Sequence, residues 1–133
     1  MNKFLIEETE FTPEISFDLN TRKFIFKGVS RPEDVFKFYE PAIDWLKDLD
    51  QNLHTHTDTK YNFTNIDVEF RLTYFNSSSS KMLLQILEIL AKIQQKGVEI
   101  RIDWYYDEND EQMLDDGSDL SESVKIPFNF YKI

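Results

Sequence analysis

The chain has no cysteine, only three glycines and four prolines, and no basic run longer than Arg22-Lys23. Without cysteine, neither disulfides nor thiol chemistry contributes to fold or function. No apolar stretch approaches the roughly 18–20 residues that span a bilayer. The longest, MLLQILEIL, is broken by Gln85 and Glu88. The opening MNKFLIEETE has no long apolar run of the signal-peptide kind, so a cytoplasmic protein without a membrane role is expected. Neither G-x-x-x-x-G-K-[ST] nor G-x-G-x-x-G occurs, which removes the recognisable nucleotide cradles. Lys and Arg number 15 against 25 Asp and Glu, a net charge of −10. Nucleic-acid binding needs cationic surface to displace counterions, so no nucleic-acid partner is expected. An acidic balance suits a basic protein partner instead.

What is present can build a core. Of 133 residues, 41% are hydrophobic and 15% aromatic, including twelve Phe. This composition fits one folded domain over residues 1–133 rather than an acidic tail. Ile15-Ser16-Phe17-Asp18-Leu19 alternates, Phe24-Ile25-Phe26 follows and ends at Gly28, and Asn20-Thr21 lies between them as a turn, so the pair reads as a β-hairpin. Ser30-Arg31-Pro32-Glu33 reads as a helix start, with Ser30 as cap and Glu33 completing a capping box. Val35, Phe36, Tyr39, Ile43, Leu46 and Leu49 then recur with helical spacing. Pro41 is expected to kink or split that helix. Residues 50–62 are polar and unpatterned and read as a loop.

A strand from about Thr64 to Phe75 carries Ile66, Val68, Phe70, Leu72 and Tyr74 on one face. A helix from about Ser79 to Gln95 follows, ended by Gly97. Val98, Ile100, Ile102 and Trp104 alternate as a strand. Residues 107–122 hold eight acids and no base, and read as a short acidic helix or a loop. Ile126 to Tyr131 reads as a last edge strand that tolerates Pro127. The order β-β-α-β-α-β-(α)-β predicts an α/β fold in which a β-hairpin is followed by β-α-β units, a mixed but mainly parallel sheet with helices packed on it.

Chemistry-bearing clusters are few. His54, His56 and Asp58 would share one face if extended, as metal ligands do, but a solvated loop is the better reading, since a metal site needs second-shell support that the sequence does not supply. The acidic run fails the EF-hand pattern, since Gln112 stands where the glycine is required and Ser118 at the twelfth position. Trp45 and Trp104 fall on apolar faces and read as core. No catalytic constellation, metal or cofactor is expected, and therefore no enzyme.

The remaining oddity is Asn76-Ser77-Ser78-Ser79-Ser80, at a strand-to-helix junction. A helix N-terminus leaves backbone N–H groups without partners, and Asn76, Ser77 or Ser78 would satisfy them. One cap needs one residue, not several. A phosphoryl group there would sit against the positive end of the helix dipole. Cap and modification site both remain open on these residues alone.

Several stretches, in order along nearly the whole chain, resemble the SiaC-type regulatory phosphoproteins, small bacterial proteins with a fold similar to STAS (anti-anti-sigma) domains. They are Thr12-Pro13-Glu14 with Phe17-Asp18, Gly28-Val29-Ser30-Arg31-Pro32-Glu33, Phe38-Tyr39-Glu40-Pro41 with Trp45-Leu46, Tyr74-Phe75-Asn76-Ser77-Ser78-Ser79 with Lys81, Trp104-Tyr105-Tyr106-Asp107, and Ile126-Pro127-Phe128. The resemblance implies a STAS-like single domain acting as a switch. A dedicated protein kinase phosphorylates the hydroxyl after the motif Asn, and a PP2C-type phosphatase removes the phosphate. The unphosphorylated form binds and activates a diguanylate cyclase. Carried onto this chain, the acceptor is Ser77, with Ser78 and Ser79 as neighbours, and the partner-binding residues are Asn76, Ser77, Ser78 and Lys81. The chain departs from the pattern in carrying Ser rather than Thr at 77, Arg31 in place of an aromatic residue, and a longer segment 50–62. A monomer or weak dimer is expected. The competing reading is a constitutive STAS-like interaction module whose serines only cap a helix.

Overall fold

The computed structural model describes residues 2–55 and 64–133. The described residues form six strands and three helices, in the order β1 (Lys3–Ile6), β2 (Glu14–Asp18), β3 (Lys23–Ser30), α1 (Val35–Thr55), β4 (Asn65–Phe75), α2 (Ser77–Gln95), β5 (Glu99–Tyr106), α3 (Glu111–Val124) and β6 (Phe128–Lys132). They form one mixed sheet in the order β1-β2-β3-β4-β5-β6. The first two pairings are antiparallel and the other three parallel. The expected hairpin is β2–β3, and the β-α-β units follow it. Strand β1 was not expected; four residues are too short to show a period, and its partner β2 supplies the pairing.

Burial alternates along the strands, with Phe24, Phe26, Ile66, Val68, Phe70, Ile100, Ile102 and Trp104 all on the covered face. Aromatic rings form a row across that face. Phe26 stacks on Phe70 at 4.6 Å, Phe70 meets Trp104 at 5.2 Å and Trp104 stacks on Phe128 at 5.8 Å. Trp104 is fully buried as expected. Trp45 is half-buried against Phe4, Phe17 and Phe24. The other face is polar and open. Glu69 takes ion pairs from Lys23 (3.1 Å) and Arg71 (2.8 Å), and Arg101 pairs with Asp103 at 3.1 Å. Burial pushes the Glu69 carboxyl up, but hydrogen bonds from Arg71 and Lys23 outweigh it and hold the group below its ordinary value.

Several boundaries differ from expectation. Helix α1 starts at Val35 behind Asp34, whose carboxylate accepts from Lys37 N at 3.1 Å. Ser30 therefore caps nothing, and no capping box with Glu33 forms. Pro41 lies inside α1 without splitting it. Its ring is on the exposed side, where water can satisfy the carbonyl that loses its donor. The helix also runs on to Thr55, taking in residues read as loop, and residues 56–63 lie outside the described part. Helix α2 begins at Ser77, two residues earlier than expected. Of the two readings for 107–122, the helix holds: Asp110 accepts from Met113 N at 3.0 Å and caps α3.

Strand β4 breaks its own alternation near its end. Gly28 pairs with Leu72 but Val29 pairs with Tyr74, so Thr73 is an extra residue and forms a bulge. Tyr74, expected on the core face, is therefore exposed, and Phe75 is buried in its place.

Candidate functional site

The carboxyl ends of β3 and β4 bring the serine cluster against two distant segments. Asn76 is the N-cap of α2, its side chain accepting from Ser79 N at 2.9 Å. One residue does the capping, and it is not a serine. Ser79 is wholly buried. It belongs to a network with Ser30, the last residue of β3, and Tyr39, in the second turn of α1; all three are 0% exposed. Ser30 Oγ donates to Ser79 Oγ at 2.8 Å, and Ser79 Oγ donates to the Ser30 carbonyl at 3.1 Å. The Tyr39 hydroxyl lies 2.5 Å from Ser30 Oγ. Since Ser30 has already given its proton to Ser79, Tyr39 is the donor in that contact. Asn76 N also donates to the Ser30 carbonyl, at 3.1 Å. Each of these three hydroxyls donates once, so none of the network's buried donors is left unmet.

Burial pushes the Tyr39 phenol up to about 12, against a smaller downward pull from its hydrogen bonds with Ser30 and Ser79. The phenol therefore keeps its proton at neutral pH and stays a donor. The network fastens β3, α1 and the first turn of α2 to one another. It also joins three of the segments that carry the sequence resemblance: GVSRPE gives Ser30, FYEP gives Tyr39, and NSSS gives Asn76 and Ser79.

This arrangement sorts the serines. Ser79 cannot meet an enzyme without local opening. Ser77 and Ser78 are exposed, and their side chains make no hydrogen bond to the described residues. Ser77 also lines an open cavity of about 340 Å³ with Phe75, Asn76, Ser80, Lys81 and Asp116. Thus Asn76, Ser77 and Lys81 share one concavity, whereas Ser78 does not line it. Several aromatic side chains are exposed, and of these Tyr74 lines the adjoining cavity. Tyr74 is 48% exposed at the end of β4, Phe36 57% in the first turn of α1, and Phe11 48%. Arg31 accounts for its own position there: its N–H donates to the Phe11 carbonyl at 2.9 Å and its guanidinium lies 5.1 Å from the centre of the Phe11 ring.

Sequence reasoning missed Ser30, Tyr39 and Asp116 as parts of this site. Tyr39 sat in an apolar helical stripe and read as core. The available signal was its hydroxyl, since a buried Tyr needs a partner for it. The His54, His56 and Asp58 grouping falls on side chains outside the described residues. Among the described residues, no group of three His, Cys, Asp or Glu is arranged to hold a metal ion. No helix among them is long and apolar enough to cross a membrane.

Comparison with known proteins bears on this geometry. The family model described as SiaC family regulatory phosphoprotein matches residues 6–133. A protein of Pseudomonas aeruginosa (strain UCBPP-PA14) is 26% identical over 128 residues, which is 96% of this chain and 94% of that protein. The crystal structure of apo-SiaC from P. aeruginosa is 25% identical, covers 99% of this chain and 98% of its own, and superposes with a TM-score of 0.72. A chain in the crystal structure of the diguanylate cyclase SiaD with its activator SiaC, also from P. aeruginosa, is 25% identical. There the coverage is 98% of this chain and 99% of that one, with a TM-score of 0.81.

Proposed function

The chain belongs to the SiaC family of regulatory phosphoproteins, and from that premise we propose that it is a cytoplasmic, non-enzymatic partner switch controlled at Ser77. Unphosphorylated, it docks on and activates an effector, a diguanylate cyclase like the one that SiaC accompanies in P. aeruginosa. A protein kinase phosphorylates Ser77 and releases the effector. A PP2C-type phosphatase restores the hydroxyl.

The observation that carries this reading is the division of labour among the serines. Asn76 caps the helix and Ser79 holds it to Ser30 and Tyr39. Ser77 is left exposed, with no structural role, on a rigid first turn. The constitutive-module alternative needs the serines as caps, and Asn76 already fills that place. Asn76, Ser77, Ser78 and Lys81 form the polar centre of the docking surface, and Tyr74, exposed at the end of β4, supplies an aromatic anchor of the kind that dominates interface energies. Phosphorylation places a charge of about −1.5 to −2 among them. Desolvating that dianion against an apolar or acidic partner surface costs several kcal/mol, and a ~10⁴-fold difference in affinity (about 5.5 kcal/mol) moves a complex from almost fully bound to almost fully free.

Phosphosite mapping by mass spectrometry on protein from its own host, paired with effector pull-down, tests the reading. Phosphate at Ser77 is expected, with Ser77→Ala retaining the effector and Ser77→Glu losing it. If no serine of the cluster carries phosphate under any growth condition, and both variants bind equally, the switch does not exist.

A further inference from the structure

The Ser77 cavity contains one group that the switch as described does not use. Its wall includes Asp116, which comes from α3 on the far side of the groove. Asp116 is half-buried and accepts from Gln112 Nε2, one turn back on α3, at 2.8 Å. The cation on the same wall is Lys81, one turn after Ser77 on α2. Asp116 also lines the adjoining cavity of about 260 Å³, with Thr73, Tyr74, Phe75, Asp110, Gln112 and Met113. The groove thus runs between the start of α2 and the face of α3, with Asp116 in the middle.

We propose that Asp116 is the residue through which a phosphoryl group on Ser77 acts on α3: dianion and carboxylate compete for Lys81 across one cavity, and α3 loosens. The inference rests on Ser77 as the modified residue. A cavity of this volume is about 9 Å across if roughly spherical, comparable with the ~8 Å screening length at physiological salt, so the two anions are incompletely shielded from each other. Ser80 and the Asn76 amide on the same wall offer donors to the phosphate, and the helix dipole favours it there. The site is therefore built to hold the anion on the α2 side, and the repulsion falls on the α3 side. Helix α3 buries only Met113, Gly117 and Leu120. Among the described residues it is the helix with the fewest buried side chains, and the surface it presents changes when it shifts. The effector then meets an altered α3 as well as a charged Ser77.

The test uses full-length protein with phosphoserine installed at position 77 during translation, so the result does not depend on whether a cell phosphorylates that residue. Asp116→Asn keeps an acceptor for Gln112 and removes only the charge. The phosphate is titrated by phosphorus NMR and α3 is followed by amide hydrogen exchange over residues 111–124. A like charge raises the second phosphate pKa above its usual value near 6, so Asp116→Asn is expected to lower it by about 0.5 unit, and Lys81→Met to raise it by a similar amount. Exchange in α3 is expected to quicken by about three-fold or more on phosphorylation of the parent chain, and not in Asp116→Asn. A phosphate titration unmoved by Asp116→Asn, or α3 exchange equal with and without phosphate, overturns the proposal. Failure of the switch itself would show instead as unmodified Ser77 in host protein, with this coupling intact.

Discussion

At the residue scale, neighbouring serines have opposite assignments, and stability measurements separate them. Ser79→Ala removes the acceptor of the Ser30 hydroxyl and one donor to the Ser30 carbonyl in a region with no exposure. A buried group left without its partner costs about 1–3 kcal/mol. Asn76→Ala removes the helix cap and costs about 1 kcal/mol. Ser77→Ala touches no hydrogen bond among the described residues and is expected to stay within about 0.5 kcal/mol of the parent. Urea unfolding of the three variants reads the order directly. A Ser77→Ala loss as large as that of Ser79→Ala would give Ser77 a structural task and weaken its claim as a regulatory site.

At the scale of elements, α3 depends on a missing side chain. A Cβ at Gly117 would lie 2.6 Å from Trp104 Cε2 and Nε1. The indole has little room to retreat, because Trp104 is fully buried and its Nε1 donates to the Met113 carbonyl of α3 at 3.0 Å. Gly117→Ala gains about 1 kcal/mol of helix propensity. The overpacking costs about 1–3 kcal/mol and either shifts α3 outward or breaks the indole bond. A net loss of stability and a shifted Trp fluorescence are expected; a net gain in urea unfolding would show that α3 does not sit closely on the indole.

The same scale shows what could be read from the chain alone. Strands β2 to β5 and helices α1 and α2 were legible because their apolar residues keep a regular period over most of their length. Tyr74 was misplaced because the Thr73 bulge inserts one residue, and a bulge leaves no mark in a pattern of alternation. Ser30 was misread as a cap because Ser-x-x-Glu is a local signature, while the contacts that claimed it come from Tyr39, nine residues away, and Ser79, 49 away. The acceptor serine was legible only as one of several. Its sorting depended on burial, which sequence does not print.

At the scale of the whole molecule, charge is unevenly used. The open sheet face is a lattice of opposite charges, Lys23–Glu69–Arg71 beside Arg101–Asp103, with Asn129 Nδ2 donating to Asp103 at 3.1 Å. The carboxylates of Glu69 and Asp103 are largely covered while their cations reach solvent, and the pairs satisfy those covered acids. The excess of ten acids is left to repel across the rest of the fold. Raising monovalent salt from about 20 to 200 mM screens that repulsion more than it weakens the pairs, and is expected to raise the melting temperature by about 2–4 °C. A fall on adding salt would mean that the paired lattice outweighs the net charge.

The strand order has a further consequence. Each strand of this sheet pairs only with strands adjacent in the chain, from first to last. Each pairing can form as soon as its second strand is made, although the parallel ones close loops through a whole helix, as in Lys23↔Asp67 and Ile102↔Phe128, and those closures set the slow steps. As the chain leaves the ribosome, the β1–β2–β3 antiparallel unit can form while α1 is still being made, and each later helix–strand pair adds to an existing edge. The molecule can be assembled in the order it is written, with β6 closing the sheet last and α3, the element proposed to respond to phosphate, among the last pieces to settle.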